Sequence, residues 1–112
     1  MPSSLSDDAL TDRWEGQTLG GSGIEHLDHV RVAWVLHRRH GRRSAEERLV
    51  TGTRLSCEQY GVPEKFDEAL TRRWARAVSD AAEEAPLDET FRELLARRPE
   101  LRRGDLFGKP DA

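Results

Sequence analysis

The chain lacks several features that define common protein classes. Its 112 residues include one cysteine, Cys57, so no internal disulfide framework can form. No apolar run approaches the roughly 20 residues of a membrane-spanning helix, and the N-terminus has no charged-then-apolar signal pattern. These absences predict a soluble, cytoplasmic protein with no membrane partner.

Aromatic and β-branched residues are also scarce. Hydrophobic residues make up 36% of the chain and charged residues 35%. Leu, Ala, Glu and Arg, which favour helices, dominate the composition, and no segment shows the period of two that is typical of a strand. Because a chain of this length can form one ordinary core, we expect a single all-α domain with a small core.

Basic and acidic residues are segregated, although the net charge is only −3. Residues 31–56 contain seven arginines and two glutamates, whereas the segments on both sides are net acidic. Such a basic strip can bind phosphates, but acidic neighbours offset its field. A dedicated nucleic-acid-binding protein is usually more basic than this, so we do not expect nucleic acid as a partner.

Hydrophobic periodicity and capping signals predict four amphipathic helices with short connections. Their approximate limits are residues 24–40, then 45–60 with Ser44 as N-cap and Glu47 completing a capping box, then 63–84 beginning at Pro63, and finally 89–98 with Asp88 as N-cap. Short connections favour antiparallel neighbours, so the pattern predicts a bundle of about four antiparallel helices.

The N-terminal residues are predicted to form a flexible arm, because four glycines fall between positions 16 and 23. Within this arm Ser6 can cap a short helical turn in which Leu10 and Trp14 are four residues apart. The predicted organisation is an arm at residues 1–23, a helical domain at 24–107 and a tail at 108–112.

All four histidines fall within the first predicted helix. At about 100° per residue they share an arc of roughly 80° with Val30, Ala33 and Leu36, whereas Asp28, Arg31, Arg38 and Arg39 point the other way. His26 and His29 are three residues apart and can reach one ligand from adjacent turns. His37 and His40 lie about 16 Å further along the helix, and we expect them at the surface in its last turn.

Asp67 falls within the apolar arc of the third predicted helix. A carboxylate buried there needs a cation, a metal ion or hydrogen-bond donors. Together with His26 and His29 it can form a three-ligand site for one divalent transition metal ion, or a metal-free acid/base group. A buried Asp–His ion pair that holds the helices in register is the structural alternative. The hypothesis requires a histidine nitrogen within about 4 Å of an Asp67 oxygen, directly or through one metal or water.

Four further side chains are candidates for binding a substrate. Thr71 lies one turn after Asp67 and can donate a hydrogen bond, and Tyr60 ends the second predicted helix, where its hydroxyl can reach the site. Glu68 is more peripheral. Arg31 can bind a carboxylate, although the helical wheel places it outward.

Three segments resemble motifs of a known group of proteins. Residues 26–36, HLDHVRVAWVL, are similar to H-x-D-H-[VL]-R-[LV]-A-W-x-L, and residues 65–74, KFDEALTRRW, to K-Y-H-E-T-I-T-x-x-W. Residues 91–101, FRELLARRPEL, match F-x-x-L-L-x-x-x-P-x-L more weakly. In order and spacing the chain resembles a family of small, mostly uncharacterised helical proteins.

The resemblance implies an all-helical fold with one site shared by the first and third predicted helices, and it implies no established activity. This chain departs from the pattern at the centre of the site, where Phe66-Asp67 replaces Tyr-His and Ala69 replaces the first Thr. Asp can replace His as a metal ligand or a base, with altered charge and reach. The residues after 101 also differ from the family's longer, aromatic-containing tails.

The leading hypothesis is a small-molecule enzyme or binding protein that acts on a small polar metabolite, in a specialised biosynthetic pathway. Its chemistry would be His/Asp acid–base catalysis, with or without one bound metal ion. The alternative is a non-catalytic helical interaction module or homodimer whose histidines are structural. In that alternative, Trp14 and Phe107 on flexible ends would anchor the partner.

Overall fold

The computed structural model describes residues 5–18, 25–104 and 106, and the regular structure in these residues is entirely helical. There are five α-helices and two 3₁₀ turns in this part of the chain, in the order α1 (Asp7–Glu15), α2 (His26–His40), α3 (Arg42–Gln59), a 3₁₀ turn (Pro63–Lys65), α4 (Glu68–Glu83), α5 (Phe91–Arg97) and a second 3₁₀ turn (Pro99–Arg102). The predicted all-α class is confirmed. The number of helices differs from the expected four because α1 is an additional element. No described helix is long and apolar enough to cross a membrane.

Helix α2 lies at the centre of the fold and packs against α1, α3 and α4. The core positions of α2 run consecutively around the helix axis: Val32, Ala33, Trp34, Val35 and Leu36 are all buried. Asp28 and Arg31 were expected on the solvent-facing side of this helix, and that expectation is wrong. Asp28 is 8% exposed, and the Arg31 side chain is 14% exposed. The N-terminal helix covers this second side.

Helix α1 packs into the core. The Ser6 side chain accepts a hydrogen bond from the Ala9 backbone N–H at 3.1 Å and caps the helix as predicted. Leu10 and Trp14 are 0% and 2% exposed. Residues 5–18 therefore do not form the predicted flexible arm. Burial of two large apolar side chains on one face of α1 stabilises its packing against the rest of the protein. Residues 19–23 of the predicted arm and the predicted tail at 108–112 lie outside the described residues.

Gly41 joins α2 directly to α3. Its φ of 83° lies in the left-handed region that favours glycine, and its backbone N–H donates to the His37 carbonyl at 2.9 Å. Because no linker follows, α3 begins at Arg42, and the predicted capping box with Ser44 as N-cap is wrong. The predicted end of this helix before Gly61 agrees with the structure.

The third predicted helix is interrupted near its start. Pro63–Lys65 forms a separate 3₁₀ turn, and α4 begins at Glu68 with Asp67 as its N-cap. The Asp67 carboxylate accepts the Leu70 backbone N–H at 2.9 Å. Asp67 is exposed, so its predicted burial on an inner helical face is wrong. Helix α5 also starts later than expected, with a capping box formed by Thr90 and Glu93 rather than a cap at Asp88.

Candidate functional site

A cavity of about 390 Å³ lies between α2, α3 and α4. Its volume falls within the range of about 300–1,000 Å³ that is usual for small-molecule sites. Its lining comprises His26, His29, Val30 and Ala33 from α2, Leu49 and Thr53 from α3, Leu70, Thr71, Trp74 and Val78 from α4, Lys65 and Asp67 from the connection before α4, and Gly104.

The interior of the cavity is apolar, because three helices turn their hydrophobic stripes toward it. Leu70, Trp74 and Val78 are spaced by four residues and therefore share one face of α4. Val30, Leu49 and Val78 are buried to 3% exposure or less. These stripes were visible in the sequence, but their meeting around an open volume was not.

His26 is held at one wall of the cavity. Its Nε2 lies 2.9 Å from the Leu101 carbonyl oxygen. Since a carbonyl only accepts, Nε2 donates the proton, and Nδ1 is the acceptor of the neutral ring. The imidazole also packs against the Trp74 indole, with ring centroids 4.6 Å apart and an interplanar angle of 64°. The second 3₁₀ turn and α4 thus fix the orientation of this histidine.

His29 is a neutral imidazole that lines the same cavity. Burial, reinforced by the neighbouring His26, lowers its pKa from 6.5 to about 4, although a hydrogen bond with the Glu25 carbonyl opposes the shift. Its ring meets the Trp14 indole edge-on, with centroids 6.4 Å apart. At neutral pH this side chain can exchange hydrogen bonds with a ligand, but it adds no charge to the cavity.

The polar groups at the mouth come from the segment that leads into α4. Lys65 ends the first 3₁₀ turn, and Asp67 caps α4; both side chains are exposed. The Thr71 hydroxyl donates to the Asp67 backbone carbonyl at 2.8 Å. The charged groups of the lining therefore stand at the mouth, while the interior is uncharged.

The cavity brings four of the predicted site residues together: His26, His29, Asp67 and Thr71. Within the described residues, however, no hydrogen bond or salt bridge joins Asp67 to either histidine. The same residues contain no group of three or more His, Cys, Asp or Glu side chains placed to hold a metal ion. The predicted three-ligand arrangement is not formed in this geometry, because capping keeps the Asp67 carboxylate at the helix start.

The other three predicted substrate-binding residues do not line the cavity. Arg31 binds a carboxylate as anticipated, but it is that of Asp7, and it also donates to the Leu5 carbonyl. Glu68 pairs with Arg72 at 3.0 Å. Tyr60 is exposed at the end of α3. The helical wheel could not show that α1 lies over Arg31, and this contact is what occupies it.

His37 and His40 lie away from this cavity. His37 is half-buried, with Nδ1 3.0 Å from the Ser79 hydroxyl, and its pKa is lowered by burial, while nearby Glu83 opposes that shift. His40 is exposed. The expected surface position is therefore right for His40 and incomplete for His37, which holds α2 against α4.

Nine of the thirteen lining residues were not predicted as site members, among them Thr53, Lys65, Trp74 and Gly104. Lys65 and Trp74 were noted only as parts of a motif. A Lys-x-Asp pair directly before a helix was the signal available for Lys65. No sequence signal pointed to Gly104, because only the fold brings it beside the His26 ring. A Cβ atom at Gly104 would lie 3.6 Å from Cγ of His26.

The chain was also compared with known proteins. No protein-family model, curated protein or solved structure shows a significant match to it. The function must therefore be argued from the geometry of the cavity.

Proposed function

We propose that this chain is a small-molecule binding protein whose site is the cavity between α2, α3 and α4. The observation that carries the proposal is the separation within the lining: an apolar, uncharged interior and polar side chains at the mouth. Ligand sites in proteins combine mostly apolar walls with a few polar groups that fix orientation. The ligand is then a metabolite with an apolar body and a polar end.

Trp74 and His26 form an aromatic wall for the apolar body. Their rings are in contact with each other, and the Leu101 carbonyl holds the imidazole in place. Such a wall is already ordered before a ligand arrives, which lowers the entropic cost of binding. Val30, Leu49 and Val78 supply the remaining apolar surface.

Catalysis remains a second level of the proposal and rests on the two histidines. Both His26 and His29 line the cavity, and imidazoles can move a proton on a bound ligand or bind a metal ion together with it. Asp67 is assigned to ligand binding at the mouth instead, since its position at the start of α4 separates it from them. The segments that resemble motifs of the family of small helical proteins include His26, His29 and Lys65, whereas Asp67 stands where the family motif has His.

Ligand titrations followed by ¹H–¹⁵N NMR test the proposal. The probes are L-phenylalanine, L-leucine, 3-phenylpropanamide and indole. We expect at least one of them to shift the amides of His29, Thr53 and Trp74 saturably. Substituting Thr71→Phe at the mouth should abolish these shifts by filling the entrance.

Thr51→Phe is the matched control, because Thr51 is an exposed helical threonine on α3 that does not line this cavity. It should leave binding unchanged. If none of the four probes shifts the lining residues of the wild-type protein, the cavity is not a small-molecule site. The interaction-module hypothesis would then lead, but without Trp14 as an anchor, since that side chain is buried; Phe107 lies outside the described residues.

A further inference from the structure

Lys65 and Asp67 place opposite charges side by side at the mouth of the cavity. Between them Phe66 has an extended backbone, with φ −71° and ψ 126°, and Asp67 is extended as well, with φ −125° and ψ 103°. Because Lys65 and Asp67 are two residues apart, their Cα atoms are at most about 7 Å apart. Both charged residues line the cavity, whereas Phe66 does not.

The two charges remain available to a ligand. Within the described part of the chain, no salt bridge involves Lys65 or Asp67, and one carboxylate oxygen of Asp67 is used for capping α4. The neighbouring charges on α3 and α4 behave differently, because Arg72 and Arg76 both pair with Glu46 at 2.7 and 2.8 Å. The mouth thus has one unpaired cation and one carboxylate within reach of the same ligand.

The interior restricts which part of a ligand can enter. Besides apolar surface it offers the Thr53 hydroxyl and the His26 and His29 imidazoles, and it has no carboxylate, lysine or arginine that would compensate a buried charge. Charged groups of a ligand must therefore stay at the mouth. A dianion there would be repelled by Asp67, and a dication would be repelled by Lys65.

We infer that the cavity selects a zwitterion, an α-amino acid with an apolar side chain, whose carboxylate faces Lys65 and whose ammonium group faces Asp67. The side chain enters the apolar interior beside Trp74. The cavity of about 390 Å³ exceeds the volume of any single amino-acid side chain. This inference rests on the proposed function, because it assigns a ligand class to the same site.

Calorimetric titration with four compounds of one shape tests it: L-phenylalanine, the anion 3-phenylpropanoate, the cation 2-phenylethylamine and the neutral 3-phenylpropanamide. Because the charges at the mouth are exposed and screened, we expect L-phenylalanine to bind only about tenfold more tightly than the neutral amide. This advantage should shrink in 1 M NaCl.

Two charge-removing variants assign each end of the ligand. Lys65→Gln should weaken binding of L-phenylalanine and 3-phenylpropanoate about threefold each and leave 2-phenylethylamine unaffected. Asp67→Asn should weaken L-phenylalanine and 2-phenylethylamine and spare 3-phenylpropanoate. Asn is an equally good N-cap, so α4 keeps its start. Glu64→Gln, which changes an exposed charge beside the site but outside the lining, is the control.

The pattern across ligands separates charge recognition from a structural effect, since a misfolded variant would lose all four compounds alike. Equal affinity for L-phenylalanine and 3-phenylpropanamide would overturn the zwitterion inference while leaving the proposed function intact. Variants that weaken all four compounds equally would overturn it as well. If none of the four compounds binds the wild-type protein, the inference fails, and the proposed function fails as well when L-leucine and indole also leave the lining residues unshifted.

Discussion

The two sides of α2 each contain one tryptophan in contact with one histidine, and they differ in how completely they are filled. On the α1 side, the Trp14 indole meets His29 and is 2% exposed. On the α4 side, Trp74 meets His26, and both are half-buried beside an open cavity. Both histidines line the cavity, so the two contacts differ in their tryptophans: Trp14 is packed in the core, and Trp74 borders the open volume.

The α1 side of α2, here called the closed side, is filled by a large residue that packs against a small one. A Cβ at Gly52 of α3 would overlap the Trp14 ring, so the helix backbone itself forms part of the wall against the indole. Arg31 of α2 binds Asp7 at the start of α1 and so joins these two helices. The α4 side of α2, here called the open side, has no such fit. Leu49 and Thr53 of α3 and the lining residues of α4 leave an open volume between them. Close packing therefore surrounds Trp14, whereas an open volume remains beside Trp74.

Removing the two tryptophans should show the largest difference between the sides. Trp14→Ala deletes a buried aromatic side chain and should lower the free energy of unfolding by about 3–5 kcal/mol. Trp74→Ala removes a half-buried ring beside an existing cavity and should cost about 1–2 kcal/mol. Urea denaturation measures both.

Trp14→Phe should be milder than Trp14→Ala, because the buried indole N–H of Trp14 has no hydrogen-bond partner in the described part of the chain. Equal losses for Trp14→Ala and Trp74→Ala would contradict the division into a closed and an open side.

Acidification should weaken the fold through His29. Its pKa falls from 6.5 to about 4 on folding, mainly because of burial. The unfolded chain therefore binds a proton that the folded chain does not, and stability is complete above pH 6.5 and lost as the pH falls toward 4. The full loss is up to about 3 kcal/mol. The smaller lowering at His37 acts in the same direction.

Unfolding free energies measured between pH 7 and pH 5 test this pH dependence. His29→Asn should flatten the slope relative to the wild-type protein. His40→Asn, at an exposed position, is the control and should leave the slope unchanged. If His29→Asn left the slope of unfolding free energy against pH unchanged, the His29 imidazole would not be desolvated in the folded protein.

Of the three predicted changes in stability, the addition of one methyl group beside Trp14 should be the smallest. Gly52→Ala forces a Cβ into the Trp14 ring and should cost about 1–2 kcal/mol, since overpacking outweighs the better helix propensity of alanine. In the background of Trp14→Leu, the same substitution should cost less, because a smaller side chain leaves room. Additive losses in this double-mutant cycle would show that the two residues do not press on each other.

Much of the local structure followed from the residues themselves. The Ser6 cap, the stop of α2 at Gly41 and the apolar stripe of α4 are all encoded within a few neighbouring positions. The start of α4 was misassigned because Phe66 fits the hydrophobic period, although Asp67 three residues before Leu70 is itself an N-cap signal. Two competing local signals were present, and the hydrogen bond to the helix start prevailed.

The candidate site could be predicted only in part. The wheel placed His26 and His29 on one face, and both line the cavity together with Thr71 and Asp67. It could not show that Arg31 is occupied by Asp7, because that depends on where α1 docks. Nor could it show that Lys65 lines the same cavity, since Pro63–Lys65 forms a 3₁₀ turn that is separate from α4.

The sequence by itself determined that the chain is helical and where most of its helices end, because propensity, capping and periodicity act over about four residues. The tertiary structure alone decided that α2 is covered on two sides and that Gly52 must be small. It also decided that, within the described residues, His26 and His29 line a cavity without forming a metal site with Asp67. The physical reason is that burial and charge pairing depend on which helix lies opposite. That choice is made by contacts between residues distant in the chain, such as Trp14 with Gly52 and His26 with Leu101.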